Sequence, residues 1–313
     1  MAMIEVEGLS KHFGHITAVD KISFKVEKGE VVGFLGPNGA GKTTTMRILT
    51  GYLPADEGRC KIAGFDVLTE SLEVRKHIGY LPEDTPLYQD ISVENFLKYV
   101  AEIRGISGSE QKSRVNKIIE VCGLEPVVKM DIAELSKGFR QRTGLAQTMI
   151  HDPEILIMDE PTSGLDPNQI IEIRELIKKL GREKTVILST HILSEAEATC
   201  GRILIINQGR MIADGSLEEI TRSARGVNLH KVKVKGKKEI IESQFKALAG
   251  ASGYKLIKEE NGVLSYEVYA ESEADLCEEI FKSAVEAGLI LTELYREKRS
   301  LEEVFKQLTR GEE

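Results

Sequence analysis

No stretch of this 313-residue chain approaches the roughly 18 consecutive apolar residues of a membrane-spanning helix. The opening, MAMIEVEGLSKHFG, lacks an apolar core of secretory-signal length. These absences predict a cytoplasmic polypeptide, so any membrane path it serves must be supplied by other chains. Cysteine is scarce: Cys60, Cys122, Cys200 and Cys277 stand far apart with no C-x-x-C spacing. Neither a disulfide framework nor a zinc motif is suggested, and reduced thiols are expected. Positive charge is not in excess; the net charge of −8 argues against a general nucleic-acid binder. Low-complexity tracts and solenoid repeats are missing as well. What remains, 41% hydrophobic and 29% charged, is the composition of an ordinary soluble globular protein, long enough for two domains that each bury a core.

Against this background one segment stands out. GPNGAGKT, comprising Gly36, Pro37, Asn38, Gly39, Ala40, Gly41, Lys42 and Thr43, follows the apolar run Val31 to Leu35 and precedes a helical pattern from Thr44 to Leu49. Strand, glycine-rich turn and helix together are the context of a P-loop. The glycines let the backbone bring successive N–H groups onto phosphate oxygens at a helix N-terminus. Lys42 is placed to reach the β- and γ-phosphates of ATP, the Thr43 hydroxyl to ligate Mg²⁺, and Thr44 to add a phosphate contact.

Downstream, ILIMDEP reads as a buried strand, Ile155 to Met158, that presents Asp159 and Glu160 at its C-terminal end. Asp159 is the expected carboxylate on the Mg²⁺ side, and Glu160 the candidate base that polarises an attacking water. Taken alone the pair equally suits a solvated strand end; the P-loop upstream decides for function.

Residues 1–221 alternate apolar runs with helical patterns, the signature of an α/β domain with a mainly parallel sheet. Strands are expected at Ile4 to Val6, Ser23 to Val26, Val31 to Leu35, Ile155 to Met158, Val186 to Ser189 and Ile203 to Ile206. ENFLKYVAEIRG and SRVNKIIEVCGL space apolar residues by three and four, predicting a helical lobe. The polar stretch TRSARGVN, Thr221 to Asn228, is the expected linker. Residues 222–313 then read β-α-β-β-α-β, a small ferredoxin-like α+β accessory domain, closed by a helix over SLEEVFKQL.

The order of GPNGAGKT, LSKGFRQR, ILIMDEP and the STH that ends in His191 resembles the nucleotide-binding subunit of an ATP-binding cassette transporter. The resemblance covers Ile4 to about Ser216. It implies that LSKGFRQR is the signature sequence and that TSGLDP, with Asp166, is the D-loop facing the nucleotide. It also implies that His191 contacts the γ-phosphate and that Phe13 stacks on adenine, although Phe13 alone would equally suit the core. Ser136, Lys137 and Gly138 open a helix through Gln141 and Leu145, a second phosphate-binding end. The family's pattern assigns that end to ATP held by the P-loop of a second ATPase subunit, a homodimer partner or a paralogue. Ser136 also suits a simple helix cap.

Two residues depart from the family. Glu83 takes the place of the usual glutamine after IGYL, adding a possible Mg²⁺ ligand and a negative charge near the γ-phosphate. Lys137 replaces a common glycine and either approaches the partner's phosphate or faces solvent. The implied function is an ATPase peripheral on the cytoplasmic face of the membrane. It would drive a separate permease docked near Glu83 to Asn95, with export favoured by the C-terminal portion. The rival readings are a soluble cassette ATPase acting on ribosome or DNA, and a regulatory subunit that binds ATP without turnover.

Overall fold

The computed structural model describes residues 2–223, 229–260, 262–270 and 275–297. Its contacts divide the chain into two compact units, parted between Leu217 and Glu218. The expected closing helix over SLEEVFKQL lies outside the described residues.

The first unit opens with a long antiparallel hairpin, β1 (Ala2–Phe13) and β2 (Ile16–Glu27), and continues through β3 (Val31–Leu35) into α1 (Lys42–Leu49). β4 (Glu57–Ile62), β5 (Phe65–Asp66), α2 (Ser71–His77) and β6 (Ile78–Leu81) follow. The helical lobe is α3 (Val93–Ile103), α4 (Gly108–Cys122) and α5 (Lys137–Met149). The chain then returns to the sheet through β7 (Ile155–Asp159), α6 (Pro167–Gly181), β8 (Thr185–Thr190), α7 (Leu193–Thr199), β9 (Arg202–Asn207) and β10 (Arg210–Gly215).

The central sheet runs β10-β9-β3-β8-β7-β6, parallel except at β10. Every residue of β7 and β8 is buried, which is why their interiors, Ile155 to Met158 and Val186 to Leu188, read as unbroken apolar runs rather than alternating ones. Helices on one side and the sheet β2-β1-β4-β5 with α1 on the other cover its two faces with separate apolar clusters. The spacing in ENFLKYVAEIRG becomes α3, capped by Ser92 and burying Val93, Phe96, Leu97 and Ala101. Strands β4, β5 and β10 carry no such signal in the sequence. They are short or polar, and their strand character comes from a paired neighbour rather than from an apolar run.

α8 (Leu217–Ser223) begins at the division, so Thr221 to Ser223 of the expected linker are helical. The second unit is β11 (Leu229–Lys235), α9 (Lys238–Ala247), β12 (Ala251–Glu260), β13 (Val263–Ala270), α10 (Cys277–Glu286) and β14 (Ile290–Glu297). Its antiparallel sheet runs β12-β13-β11-β14, the ferredoxin-like order. Val232 and Val234 of β11, with Leu264, Tyr266 and Val268 of β13, form one buried face packed with Ile241, Phe245 and Ile280 from the helices. Among the described residues no helix is long and apolar enough to cross a membrane.

Candidate functional site

Parallel strands that end side by side deliver their following residues to one edge of a sheet. Here β3 is followed by the P-loop, β7 by Glu160, β8 by His191 and, one strand beyond β7, β6 by Glu83. The edge holds a cavity of about 520 Å³ lined by Ala18, Asn38, Gly39, Gly41 to Thr44, Glu83, Glu160, Ser163 and His191. Residues expected together from four separate motifs thus share one wall.

The P-loop backbone is shaped by two close approaches. A side chain at Gly36 would collide with the Ile206 carbonyl, and one at Gly41, whose φ is 105°, with the Ala18 carbonyl. Gly41 leads directly into α1, whose first turn lines the cavity. N–H groups at such a helix start have no carbonyl ahead of them in the helix, so they are available to an anion. Lys42 is buried and folds back over the loop, its Nζ donating to the carbonyls of Gly36 at 2.9 Å and Pro37 at 3.2 Å. The same ammonium lies 3.3 Å from Glu160 Oε1.

Glu160 is a non-glycine residue in the left-handed region, with φ 49°. Its N–H donates to Ser189 Oγ at 2.9 Å, which holds the backbone in that state, while the other carboxylate oxygen, Oε2, lies 2.9 Å from His191 Nδ1. Lys42, Glu160 and His191 therefore form a continuous chain of charge-assisted contacts along one wall. Asp159 sits beneath it, 1% exposed, and accepts the Ser189 hydroxyl at 2.5 Å on Oδ1. One serine thus positions both acidic residues.

Thr43, Asp159 and Glu83 are hard oxygen donors of the kind Mg²⁺ selects. Thr43 and Glu83 line the cavity and Asp159 adjoins it through Glu160, so the donor chemistry fits a Mg²⁺–nucleotide. Phe13 lies at the end of β1, 48% exposed, with Lys11 Nζ 5.7 Å from its ring centroid; it is not part of the cavity wall.

Ser136, Lys137 and Gly138 also lie off the wall. Ser136 caps α5, accepting the Phe139 N–H at 3.3 Å. A side chain at Gly138 would strike Gln169, and one at Gly164 would strike the Lys137 ammonium, so Lys137 lies across the D-loop. Asp166 caps α6, accepting the N–H groups of Asn168 and Gln169, each at 3.0 Å.

Sequence reasoning passed over Glu195. This carboxylate is buried on α7 and accepts the hydroxyls of Thr162 at 2.5 Å and Thr190 at 3.3 Å, tying the start of the D-loop to the strand end that carries His191. Nothing in the sequence marks it, since only the fold buries it along with Leu193 and Ala196.

Known proteins resemble this chain in sequence and in fold. Residues 19–163 match the family model described as ABC transporter. The chain is 36% identical over 263 residues to the uncharacterized ABC transporter ATP-binding protein YhcH of Bacillus subtilis, covering 82% of this chain and 85% of that protein. It is 32% identical over 308 residues to the linearmycin resistance ATP-binding protein LnrL of the same organism, covering 98% of each. Among solved structures, an ATP-binding subunit of an ABC transporter matches with a TM-score of 0.64 at 31% identity, over 71% of this chain and 92% of that one. The dimeric cassette MJ0796, bound to ADP and Pi in a post-hydrolysis state, matches with a TM-score of 0.62 at 25% identity, over 69% and 99%.

Proposed function

Because the chain belongs to the ABC transporter ATP-binding protein family, a family of ATPases, we propose that it hydrolyses ATP between two such subunits and thereby drives a separate membrane permease, as an exporter, from the cytoplasmic face. The observation that carries the reading is the convergence of Lys42, Glu160, His191 and Glu83 on one cavity at the ends of adjacent strands.

In this reading the γ-phosphate draws Lys42 away from Glu160, since phosphate competes with the carboxylate for the same ammonium. The freed Glu160 then accepts a proton from the attacking water. His191, oriented by Glu160, donates to the phosphoryl oxygens. Thr43 and Asp159, with Glu83, would hold Mg²⁺, which neutralises phosphate charge when bound. The signature end of α5, set away from this chain's own P-loop, would meet the nucleotide of the second subunit.

A second feature supports coupling to a membrane protein. The segment after Glu83 runs into a groove of about 580 Å³ lined by Tyr52, Tyr80, Pro86, Tyr88, Phe96 and Tyr99, with Arg75 and Arg104 among its lining. Tyr88 and Tyr99 pack edge to face at 5.6 Å yet remain 58% and 42% exposed. An apolar, aromatic surface of this kind suits a docked helix. Tyr80 lines this groove: burial pushes its phenol up to about 12, and the charge of Asp159 adds to the effect. Export is favoured by likeness to LnrL, whose name denotes linearmycin resistance.

Affinity purification of the tagged chain from detergent-solubilised membranes of its own organism tests the reading. A polytopic membrane protein should co-purify in stoichiometric amount. Recovery with ribosomes or DNA instead would transfer the ATPase to a soluble role.

A further inference from the structure

The second unit carries a cluster that ATP hydrolysis does not use. His230 on β11 lies on the same sheet face as Val232 and Val234, a position where an apolar residue belongs, and it is 0% exposed. Opposite it, at the start of α10, stand Asp275 and Cys277. Nitrogen, oxygen and sulfur ligand atoms of the three residues lie within 4.8 Å of one another.

The polar atoms around His230 are poorly matched to one another. Its Nε2 accepts the Leu276 N–H at 3.0 Å, so that nitrogen carries a lone pair and the proton resides on Nδ1. Yet the same Nε2 lies 3.3 Å from Asp275 Oδ1, which places a lone pair against a carboxylate oxygen. Nδ1, buried, has no partner. Protonating the ring would satisfy Asp275 but set Nε2–H against the Leu276 N–H, and Nδ1–H would still be unpaired. Either protonation state leaves a buried polar conflict of the kind proteins avoid.

We propose that His230, Asp275 and Cys277 form a binding site for a borderline-soft divalent cation of the Zn²⁺ class. Imidazole nitrogen, carboxylate and thiolate are ligands that Zn²⁺ takes together, with water completing a tetrahedron. Donor atoms around a tetrahedral Zn²⁺ are roughly 3.3–3.8 Å apart, so the present spread closes with side-chain rotations in which Nε2 exchanges the Leu276 N–H for the ion, since its one lone pair cannot serve both. Two of the ligands are fixed by the fold: β11 pairs on both sides, with β13 and β14, and Asp275 is pinned by the Cys277 N–H at 2.9 Å. The Asp275 side chain, 56% exposed, opens the site to solvent and gives the ion its entry. The sequence concealed this arrangement because His230 stands 45 residues from Asp275, with none of the short spacings that mark zinc motifs.

Co²⁺ titration of the full-length, reduced, chelator-stripped chain tests the proposal, because thiolate bound to Co²⁺ gives an intense charge-transfer absorption that an oxygen-ligated ion at the nucleotide site does not. One equivalent should develop this band, and Zn²⁺ should abolish it by displacement. Cys277→Ser should remove the band, and Asp275→Asn should weaken Co²⁺ binding at least tenfold, with basal ATP hydrolysis unchanged in both. His230→Ala should also lose the band, but the two more exposed positions decide the matter even if that buried change unfolds the unit. No thiolate–Co²⁺ band in the parent chain, or an undiminished band in Cys277→Ser, would overturn the site. So would an imidazolium signal for His230 in NMR that stays unmoved by added Zn²⁺. None of these results depends on the permease, so the proposal stands or fails apart from the transport reading.

Discussion

Glu160 is held where a glutamate is costly. A non-glycine residue in the left-handed region stores about 1–3 kcal/mol, and here the Ser189 hydroxyl stabilises the conformation by accepting the Glu160 N–H. The result is a carboxylate set between Lys42 and His191. Glu160→Gln keeps the side-chain shape but cannot take a proton from water. Steady-state phosphate release should fall on the order of 10²-fold or more, while ATP affinity, measured by fluorescent-nucleotide titration, should hold or rise because a negative charge beside Lys42 is gone. A variant that releases phosphate at the parental rate would remove Glu160 as the base. The convergence of Lys42, Glu160 and His191 on one cavity was legible because each is the punctuation of a strand: Lys42 after VVGFL, Glu160 after ILIMD, His191 after TVILST. Ser189 and Glu195 were not, because they act through hydroxyl and carboxylate contacts that only the folded sheet assembles.

At the scale of elements, the end of α5 is fastened to β6 by one side chain. His151 Nε2 donates to the Ile78 carbonyl at 2.9 Å, and its Nδ1 is buried without a partner. Burial pushes this imidazole from 6.5 down to about 4, and the nearby Arg104 charge adds to the fall. The native pKa thus lies below the unfolded one. Above pH 6.5 neither state binds the proton, and stability is independent of it. As the pH drops toward 4 the unfolded chain gains a proton that the native chain refuses, so stability is lost. The urea midpoint should therefore fall between about pH 7.5 and about pH 5. It should fall less in His151→Gln, which can still donate to Ile78. Equal losses in the two proteins would show that His151 is not the linked group.

The reason some elements were readable and others were not lies in where their stability originates. β7 and β8 carry their own apolar signal, and α3 its own spacing. β5 is two residues long and β10 is polar and partly exposed, so only the neighbouring strand makes either of them a strand. In the second unit the alternation in VLSYEVYA was sufficient, since one face of an antiparallel sheet is buried and the other is not.

At the scale of the whole molecule, the signature residues Ser136 to Gly138 do not line the P-loop cavity of their own chain. Ser136 and Gly138 are engaged at the start of α5 beside Gln169, whereas Lys42 lies on the wall shared with Glu160 and His191. If hydrolysis uses the signature of a second subunit, two inactive variants should complement each other. Ser136→Arg blocks the signature with a bulky cation and leaves its own P-loop intact; Lys42→Ala removes the phosphate-binding ammonium and leaves its own signature intact. A mixed dimer then contains one complete site, built from the P-loop of the first variant and the signature of the second, and one site damaged on both sides. With random pairing, half the dimers are mixed and each has one of two sites, so activity should recover to at most roughly a quarter of the parental value. Phosphate release is measured for each variant alone and for the mixture, with mixed dimers confirmed by native mass spectrometry. Recovery above both single variants supports a site completed across the interface. Activity no greater than that of either variant, in a sample where mixed dimers are present, would rule out independently working sites shared between the two chains.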